Sequence, residues 1–254
     1  MGYADEIFDL TGKVVVVTGG SRGLGKEIAT AVARQGADVV VASRKLDNCQ
    51  QVAEDLKQQT GRDAMPYAVH VGRWDELAPF VDAVYDRFGQ VDVLFNNAGM
   101  TPVYDKLTDV TEKLFDSVVN LDFKGPFRLA ALVGERMHAA GRGSIINVSS
   151  SGSIRPTGRI IPYAGAKAAL NAMSAGLAEG LGPHVRVNTL MPGTFQTDVA
   201  KAWDLDAVTE DRKRHTALQR VGQPAEIIGA ALFLASDASS YTSGTIIRVD
   251  GGMF

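Results

Sequence analysis

Near its amino end the chain reads Lys13-Val14-Val15-Val16-Val17-Thr18-Gly19-Gly20-Ser21-Arg22-Gly23-Leu24-Gly25. The four valines show no polar alternation, the pattern of a strand covered on both faces. The residues that follow, Gly23–Gln35, space their apolar side chains as a helix does. Between strand and helix stand four glycines, at 19, 20, 23 and 25. A chain that leaves a strand and enters a helix through such a turn can bring bare backbone N–H groups up to an anion at the helix N-terminus. A dinucleotide pyrophosphate needs that approach, and strand–turn–helix is the context in which a glycine cluster signifies it.

Outward from this stretch the same two textures repeat. Short β-branched runs predict strands at Lys13–Thr18, Ala37–Ser43, Asp63–Val71, Val91–Asn96, Gly143–Ser149, His184–Leu190 and Thr245–Val249. Helical spacing fills most intervals, including Leu46–Gln59, Trp74–Phe88, and Thr111 through Ala140. Gly36, Gly61, Gly89 and Gly141 fall where helices should stop. Strand and helix in alternation predict an α/β fold of Rossmann type: a doubly wound parallel sheet of about seven strands with helices on both faces. No linker, charge block or repeat divides residues 1–254, so one domain is expected. Met191–Gln219 interrupts the rhythm with a long insertion, which predicts a substrate lid around 194–219 carrying Trp203 and a helical cover.

Composition excludes several classes. With 26 basic and 29 acidic residues the net charge is −3, which offers no electrostatic footprint for nucleic acid. The apolar runs are far shorter than the ~20 residues of a membrane span. The start, MGYADEIFDL, is acidic and lacks the apolar core of a secretory signal, and Glu6 stands where a myristoylation pattern wants Ser or Thr. A single cysteine, Cys49, cannot form an internal disulfide, so a cytoplasmic setting is expected. The four histidines are scattered and no metal site is expected.

Tyr163 and Lys167 are four residues apart on a helical stretch and therefore share a face. A phenol titrates near pH ~10 in water, too high for a useful base at neutral pH. A neighbouring ammonium favours the phenolate and brings that value down. Thirteen residues upstream of the tyrosine, at the end of a strand, stands Ser150.

The glycine spacing, Thr-Gly-x-x-x-Gly-x-Gly, differs from the usual Rossmann G-x-G-x-x-G and resembles that of the short-chain dehydrogenase/reductase family. Further motifs match the family in order: Asn96-Asn97-Ala98-Gly99, Asn120, Ser150, Tyr163-x-x-x-Lys167, Pro192-Gly193 with Thr194 and Thr197, and Asp250-Gly251-Gly252. The resemblance covers essentially the whole chain and extends in general terms to 3-oxoacyl-carrier-protein reductases. It implies that Tyr163 is the general acid or base, that Lys167 lowers its pKa and binds the nicotinamide ribose, and that Ser150 holds the substrate oxygen. It gives Asn120 the bend in its helix and a water that feeds protons to Lys167. It makes Gly19, Ser21, Arg22, Gly23, Leu24, Gly25, Asn97, Ala98, Gly99, Pro192, Gly193, Thr194 and Thr197 cofactor contacts, with Tyr163 and Lys167. Ser150 is preferred over its neighbours Ser149 and Ser151 because the family spaces this serine thirteen residues before the tyrosine.

Position 43 bears on the choice of nicotinamide. An NAD enzyme places a carboxylate at the end of the second strand to hold the ribose hydroxyls. Ser43 stands there instead, Arg44 follows it, and Arg22 lies in the glycine loop. Two guanidinium groups beside a hydroxyl suit a 2′-phosphate, so NADP(H) is expected. The family often has Asp-Val after the third strand; here the pair is His70-Val71, with Val71 expected to touch adenine through its backbone. Met100, Thr101, Pro102, Val103, Ile154, Arg155, Pro156, Arg159, Ile161, Phe195 and Gln196 predict a mostly apolar mouth with two arginines, suited to a small-molecule ketone or secondary alcohol, or to a 3-oxoacyl group whose acidic carrier tail the arginines would attract. Apolar residues beyond one stripe (Phe123, Phe127, Leu129, Leu132, Met137, Leu170, Met173, Leu177) suggest a homotetramer or homodimer. The alternative is a nucleotide-sensing protein that keeps the fold without chemistry; the set Asn120, Ser150, Tyr163 and Lys167 argues against it.

Overall fold

The computed structural model describes residues 2–197 and 205–254. A seven-stranded parallel sheet forms its centre: β1 (Val14–Thr18), β2 (Asp38–Ser43), β3 (Ala64–Ala68), β4 (Val93–Asn96), β5 (Gly143–Val148), β6 (Val185–Pro192) and β7 (Ile246–Val249). Around it lie α1 (Tyr3–Ile7), α2 (Gly23–Arg34), α3 (Leu46–Thr60), α4 (Trp74–Phe88), α5 (Glu112–Val119), α6 (Gly125–Ala139), α7 (Ile161–Gly180), α8 (Leu205–His215) and α9 (Ile228–Ala235). The expected doubly wound Rossmann-type sheet with helices on both faces is the observed one.

The strand order is β3-β2-β1-β4-β5-β6-β7. The chain winds outward from β1 to β3, then returns to the other side of β1 and winds the opposite way. The loops after β1 and β4 therefore diverge and leave a crevice at the carboxyl ends of these strands, where ligands of such sheets bind.

The valine run serves both layers. Val15 and Val17, with Val39 and Val41, join a buried cluster that includes Ile28 and Val32 of α2, Leu56 of α3 and Leu234 of α9. Val14, Val16, Val40 and Ala42 turn the other way, toward Leu77 and Phe80 of α4 and Leu129 and Met137 of α6. Each fully buried side chain of this kind contributes roughly 1.5–3 kcal/mol relative to exposure. Gly36, Gly61, Gly89 and Gly141 all take positive φ at or just beyond their helix ends, as expected.

Two elements differ from expectation. β3 ends at Ala68 rather than Val71, because His70 N–H donates to Glu76 Oε2 (2.8 Å) and Gly72 N–H to His70 Nδ1 (3.1 Å), turning the chain into α4. The helix predicted from Thr111 to Ala140 is broken by a π turn, Asn120–Lys124, between α5 and α6. The insertion contains the helix α8, followed by a segment fastened by Ala217 N–H to Gly252 O and Leu218 N–H to Gly251 O, both 3.0 Å. Trp203, expected in this lid, lies outside the described residues. Among the described residues no helix is long and apolar enough to cross a membrane.

Candidate active site

The glycine loop lies at the carboxyl end of β1. Gly19 and Gly23 have φ of 67° and 53°, a region open to glycine at little cost. A Cβ on Gly25 would stand 2.3 Å from Gly19 O and 2.5 Å from Asn97 Nδ2, so only glycine lets α2 start this close to β1. Thr18 fastens the opposite wall: its hydroxyl donates to Phe95 O (3.1 Å) and accepts from the N–H groups of Asn97 (3.0 Å) and Ala98 (3.1 Å). Asn97 Nδ2 donates back to Thr18 O at 2.9 Å. Gly19, Asn97 and Ala98 thus share one cradle, and Thr197 approaches the bare Cα of Gly23 from the loop after β6. The cradle is one that Cβ atoms would fill and that opens on the N-terminus of α2, which fits a dinucleotide pyrophosphate. The Leu24 side chain packs against the core cluster of α2 and α3. Gly193 lies against Asp250, and its N–H donates to Val249 O at 2.9 Å.

At the end of β2, Ser21 Oγ donates to Ser43 Oγ at 2.9 Å, and Cys49 Sγ lies 3.1 Å from the same hydroxyl. Arg22 and Arg44 are exposed, and neither has an ion-pair partner among the described residues. Val71 is buried, with its carbonyl held against Gly125 of α6.

The three consecutive serines separate by environment. Ser149 is buried and donates to Lys167 O at 3.3 Å; Ser151 is buried in the turn that follows. Ser150 is half-buried, and its Oγ accepts from Gly152 N–H at 3.1 Å. A Cβ on Gly152 would stand 3.3 Å from Ser150 Oγ and 3.7 Å from Tyr163 Cε1, so hydroxyl and phenol ring flank the same bare Cα.

Lys167 is 3% exposed. Its Nζ donates to Val148 O at the end of β5 (2.9 Å), lies 3.2 Å from Asp122 Oδ1, and sits 5.9 Å from the Tyr163 ring centroid. An ammonium has three N–H groups, and two are used by the carbonyl and the carboxylate. Asp122 was missed by sequence reasoning, which placed the polar residue of this bend at Asn120. Asn120 does open the π turn, and its carbonyl accepts from Gly125 N–H, but the side chain that reaches Lys167 is Asp122. The available signal was a charged residue between Leu121 and Phe123. Asp122 is fully buried, and burial pushes its carboxyl up while the Lys167 ammonium and the Met100 N–H pull it back. Gly99 leaves room for it: a Cβ there would stand 2.6 Å from Asp122 Oδ1 and 3.5 Å from Lys167 Nζ.

Around the mouth, Arg159 is paired with Asp105 (2.9 Å) and also donates to Tyr104 O, while Tyr104 Oη accepts from Ile161 N–H at 2.9 Å. Arg155 is exposed; its guanidinium donates to the neighbouring Ile154 carbonyl, and its backbone N–H to Ser151 O at 2.9 Å. Of the apolar residues assigned to a subunit interface, Leu129, Met137 and Leu170 are fully buried core, which corrects that part of the expectation. Phe127 is exposed, with Phe115 on the preceding helix. Among the described residues no group of three or more metal-ligating side chains occurs.

Comparison with known proteins agrees with this geometry. Residues 18–254 match the family described as Enoyl-(Acyl carrier protein) reductase. The 3-oxoacyl-[acyl-carrier-protein] reductase FabG of Chlamydia trachomatis is 37% identical over 245 residues, covering 96% of this chain and 98% of its own. The NADPH-dependent 3-quinuclidinone reductase of Rhodotorula rubra superposes with a TM-score of 0.93 at 28% identity, over 99% of this chain and 95% of that one. A 7α-hydroxysteroid dehydrogenase complexed with NADH and 7-oxo glycochenodeoxycholic acid superposes at 0.91 with 33% identity, over 100% of this chain and 98% of that one. With the glycine cradle at the switch point and a serine, tyrosine and lysine gathered beside it, this chain belongs to the short-chain dehydrogenase/reductase family of oxidoreductases.

Proposed function

We propose that the chain interconverts a carbonyl and a secondary alcohol with NADP(H), using Tyr163 as general acid in reduction and general base in oxidation. The observation that carries this reading is Lys167: a cation taken out of water, held by Val148 O and Asp122 Oδ1, beside the Tyr163 ring. The carbonyl and the carboxylate offset the cost of burying this ammonium, and the adjacent phenol is the group it acts on. Ser150 Oγ stands on the same side of Gly152 and would hold the substrate oxygen next to the phenol. Tyr163 then gives its proton to that oxygen in reduction and takes it back in oxidation. Lys167, through its remaining N–H, favours the phenolate and is placed to bind a ribose hydroxyl. When bound, the nicotinamide supplies the hydride, the part of the chemistry no side chain can perform. Gly19, Ser21, Gly23, Gly25, Asn97, Ala98 and Thr197 would hold its dinucleotide, with Arg22, Ser43 and Arg44 on the 2′-phosphate. Gly99, Pro192, Gly193 and Thr194 would border the nicotinamide.

The choice of NADP(H) rests on the Ser43 hydroxyl, held by Ser21, with an exposed arginine next in sequence to each serine, Arg22 after Ser21 and Arg44 after Ser43. Relatives take either form, NADPH in the quinuclidinone reductase and NADH in the steroid dehydrogenase, so this chain's own residues decide. The mostly apolar mouth, in which Arg159 is paired with Asp105, favours a ketone of moderate size. The exposed faces of α5 and α6 fit a homotetramer or homodimer in the cytoplasm. The experiment is NADPH and NADH oxidation against a ketone panel, with Tyr163→Phe as control. Turnover should fall about 10²–10⁴-fold in the variant while cofactor binding persists. Undiminished turnover would refute the role of Tyr163, and cofactor binding without turnover by the parent would favour a sensor.

A further inference from the structure

We infer that Asp122 is a positioning residue, an inner counter-charge that holds Lys167 and sets the pH at which Tyr163 exchanges its proton. This inference rests on the reaction proposed above. Asp122 is fully buried, lies 3.2 Å from Lys167 Nζ, and receives the Met100 N–H at 3.3 Å. The π turn Asn120–Lys124 aims it inward, and the bare Cα of Gly99 makes room for its carboxylate. Lys167 therefore faces two groups of opposite consequence, a phenol it activates and a carboxylate that cancels part of its charge.

Among the described residues no second charged side chain acts on Asp122. From α7, Lys167 is the charged group acting on Asp122, with Tyr163 beyond it. Glu112, Lys113 and Asp116 of α5 are exposed. Lys124 of the turn and Arg128 of α6 are drawn over the Trp74 ring, at 5.6 Å and 4.7 Å. With Asp122 ionised, the group of Tyr163, Lys167 and Asp122 is neutral while the phenol keeps its proton. Without that carboxylate it carries a full positive charge, and loss of the phenol proton becomes easier.

The test is Asp122→Asn, which removes the charge and keeps both the shape and an acceptor oxygen for Lys167. The pH profile of kcat/KM for alcohol oxidation is measured for parent and variant. The midpoint of its rising limb should move to lower pH in the variant, by roughly 0.5–1.5 units for a charge removed at this range in a protein interior. A residue that merely fills space would change the height of the profile and leave the midpoint in place; an unmoved or alkaline-shifted midpoint overturns the inference. The pair itself is read without activity, from thermal melts of Asp122→Asn, Lys167→Met and the double variant. Removing one partner leaves a buried lone charge or acid, so the double variant should be more stable than the two single losses combined, and should fold even where a single variant does not. Additive losses overturn the pairing. If the parent turns over no alcohol or ketone, the proposed reaction falls, and the melts still decide whether Asp122 and Lys167 are coupled.

Discussion

Replacing Gly125 with alanine should damage stability and activity together. Gly125 is the first residue of α6, directly after the π turn, and a Cβ there would stand 2.1 Å from Val71 O, 2.7 Å from Val71 Cγ1 and 2.9 Å from Val71 C. Two of these atoms are backbone in the turn between β3 and α4, so no rotamer change relieves the contact. Cβ atoms do not approach heavy atoms closer than 3.0 Å, and α6 must therefore retreat by about 1 Å from the loop it packs on. Overpacking of that kind costs about 2–4 kcal/mol, since the buried cluster containing Leu129, Val133 and Met137 moves with the helix. For a chain of this size each kcal/mol lowers Tm by about 2–4 °C, giving an expected fall of about 5–15 °C. The retreat also draws Asp122 away from Lys167, so kcat should fall at least tenfold even at temperatures where the variant is folded. Circular-dichroism melts and steady-state assays at 15–20 °C below the variant's Tm make the measurement. A Tm within about 1 °C of the parent would show that the backbone yields at this point and would refute the packing account.

Two further outcomes are expected. Ser43→Asp places a carboxylate where a 2′-phosphate would sit and should cut the NADPH-over-NADH preference about 10- to 100-fold, read from KM ratios; equal losses for both cofactors would refute the assignment of Ser43 and Arg44. Glu226, held at pKa about 2 against an ordinary 4.5 by the Arg220 guanidinium and the Gln223 N–H, stabilises the fold above about pH 4.5 and loses that contribution as pH falls toward 2. Tm of the parent should therefore drop more steeply between pH 5 and 2 than that of Glu226→Gln, and parallel curves would contradict the linkage.

Much of the architecture was legible because the valine runs and helical spacing are large, redundant signals. Val14–Val17 feeds side chains to both layers, so its lack of alternation states its burial directly. The helix-ending glycines were equally plain, since positive φ is a local demand. The extent of β3 was not local: the run through Val71 keeps its strand character in sequence, but Glu76 captures the His70 N–H from the next helix. α1, at five residues, is too short to show a period. The most instructive miss is Asp122. Asn120 came from the family resemblance alone; a π turn adds a residue to one turn of helix and rotates every later side chain, so the helical spacing of α5 gave no pointer to the carboxylate two positions on. Tyr163 and Lys167 escaped this problem because they share one uninterrupted helix, α7.

Thr18 carries a consequence for how the crevice changes over evolution or in the laboratory. Its hydroxyl spends its single hydrogen on Phe95 O and receives two N–H groups, those of Asn97 and Ala98, leaving it no spare valence. The span between the two loops is thus gauged by an oxygen committed entirely to the protein. Libraries meant to retune coenzyme choice should diversify positions 22, 43 and 44 and keep this threonine fixed, because valine at 18 would fill the same volume yet leave the Asn97 and Ala98 N–H groups without their acceptor.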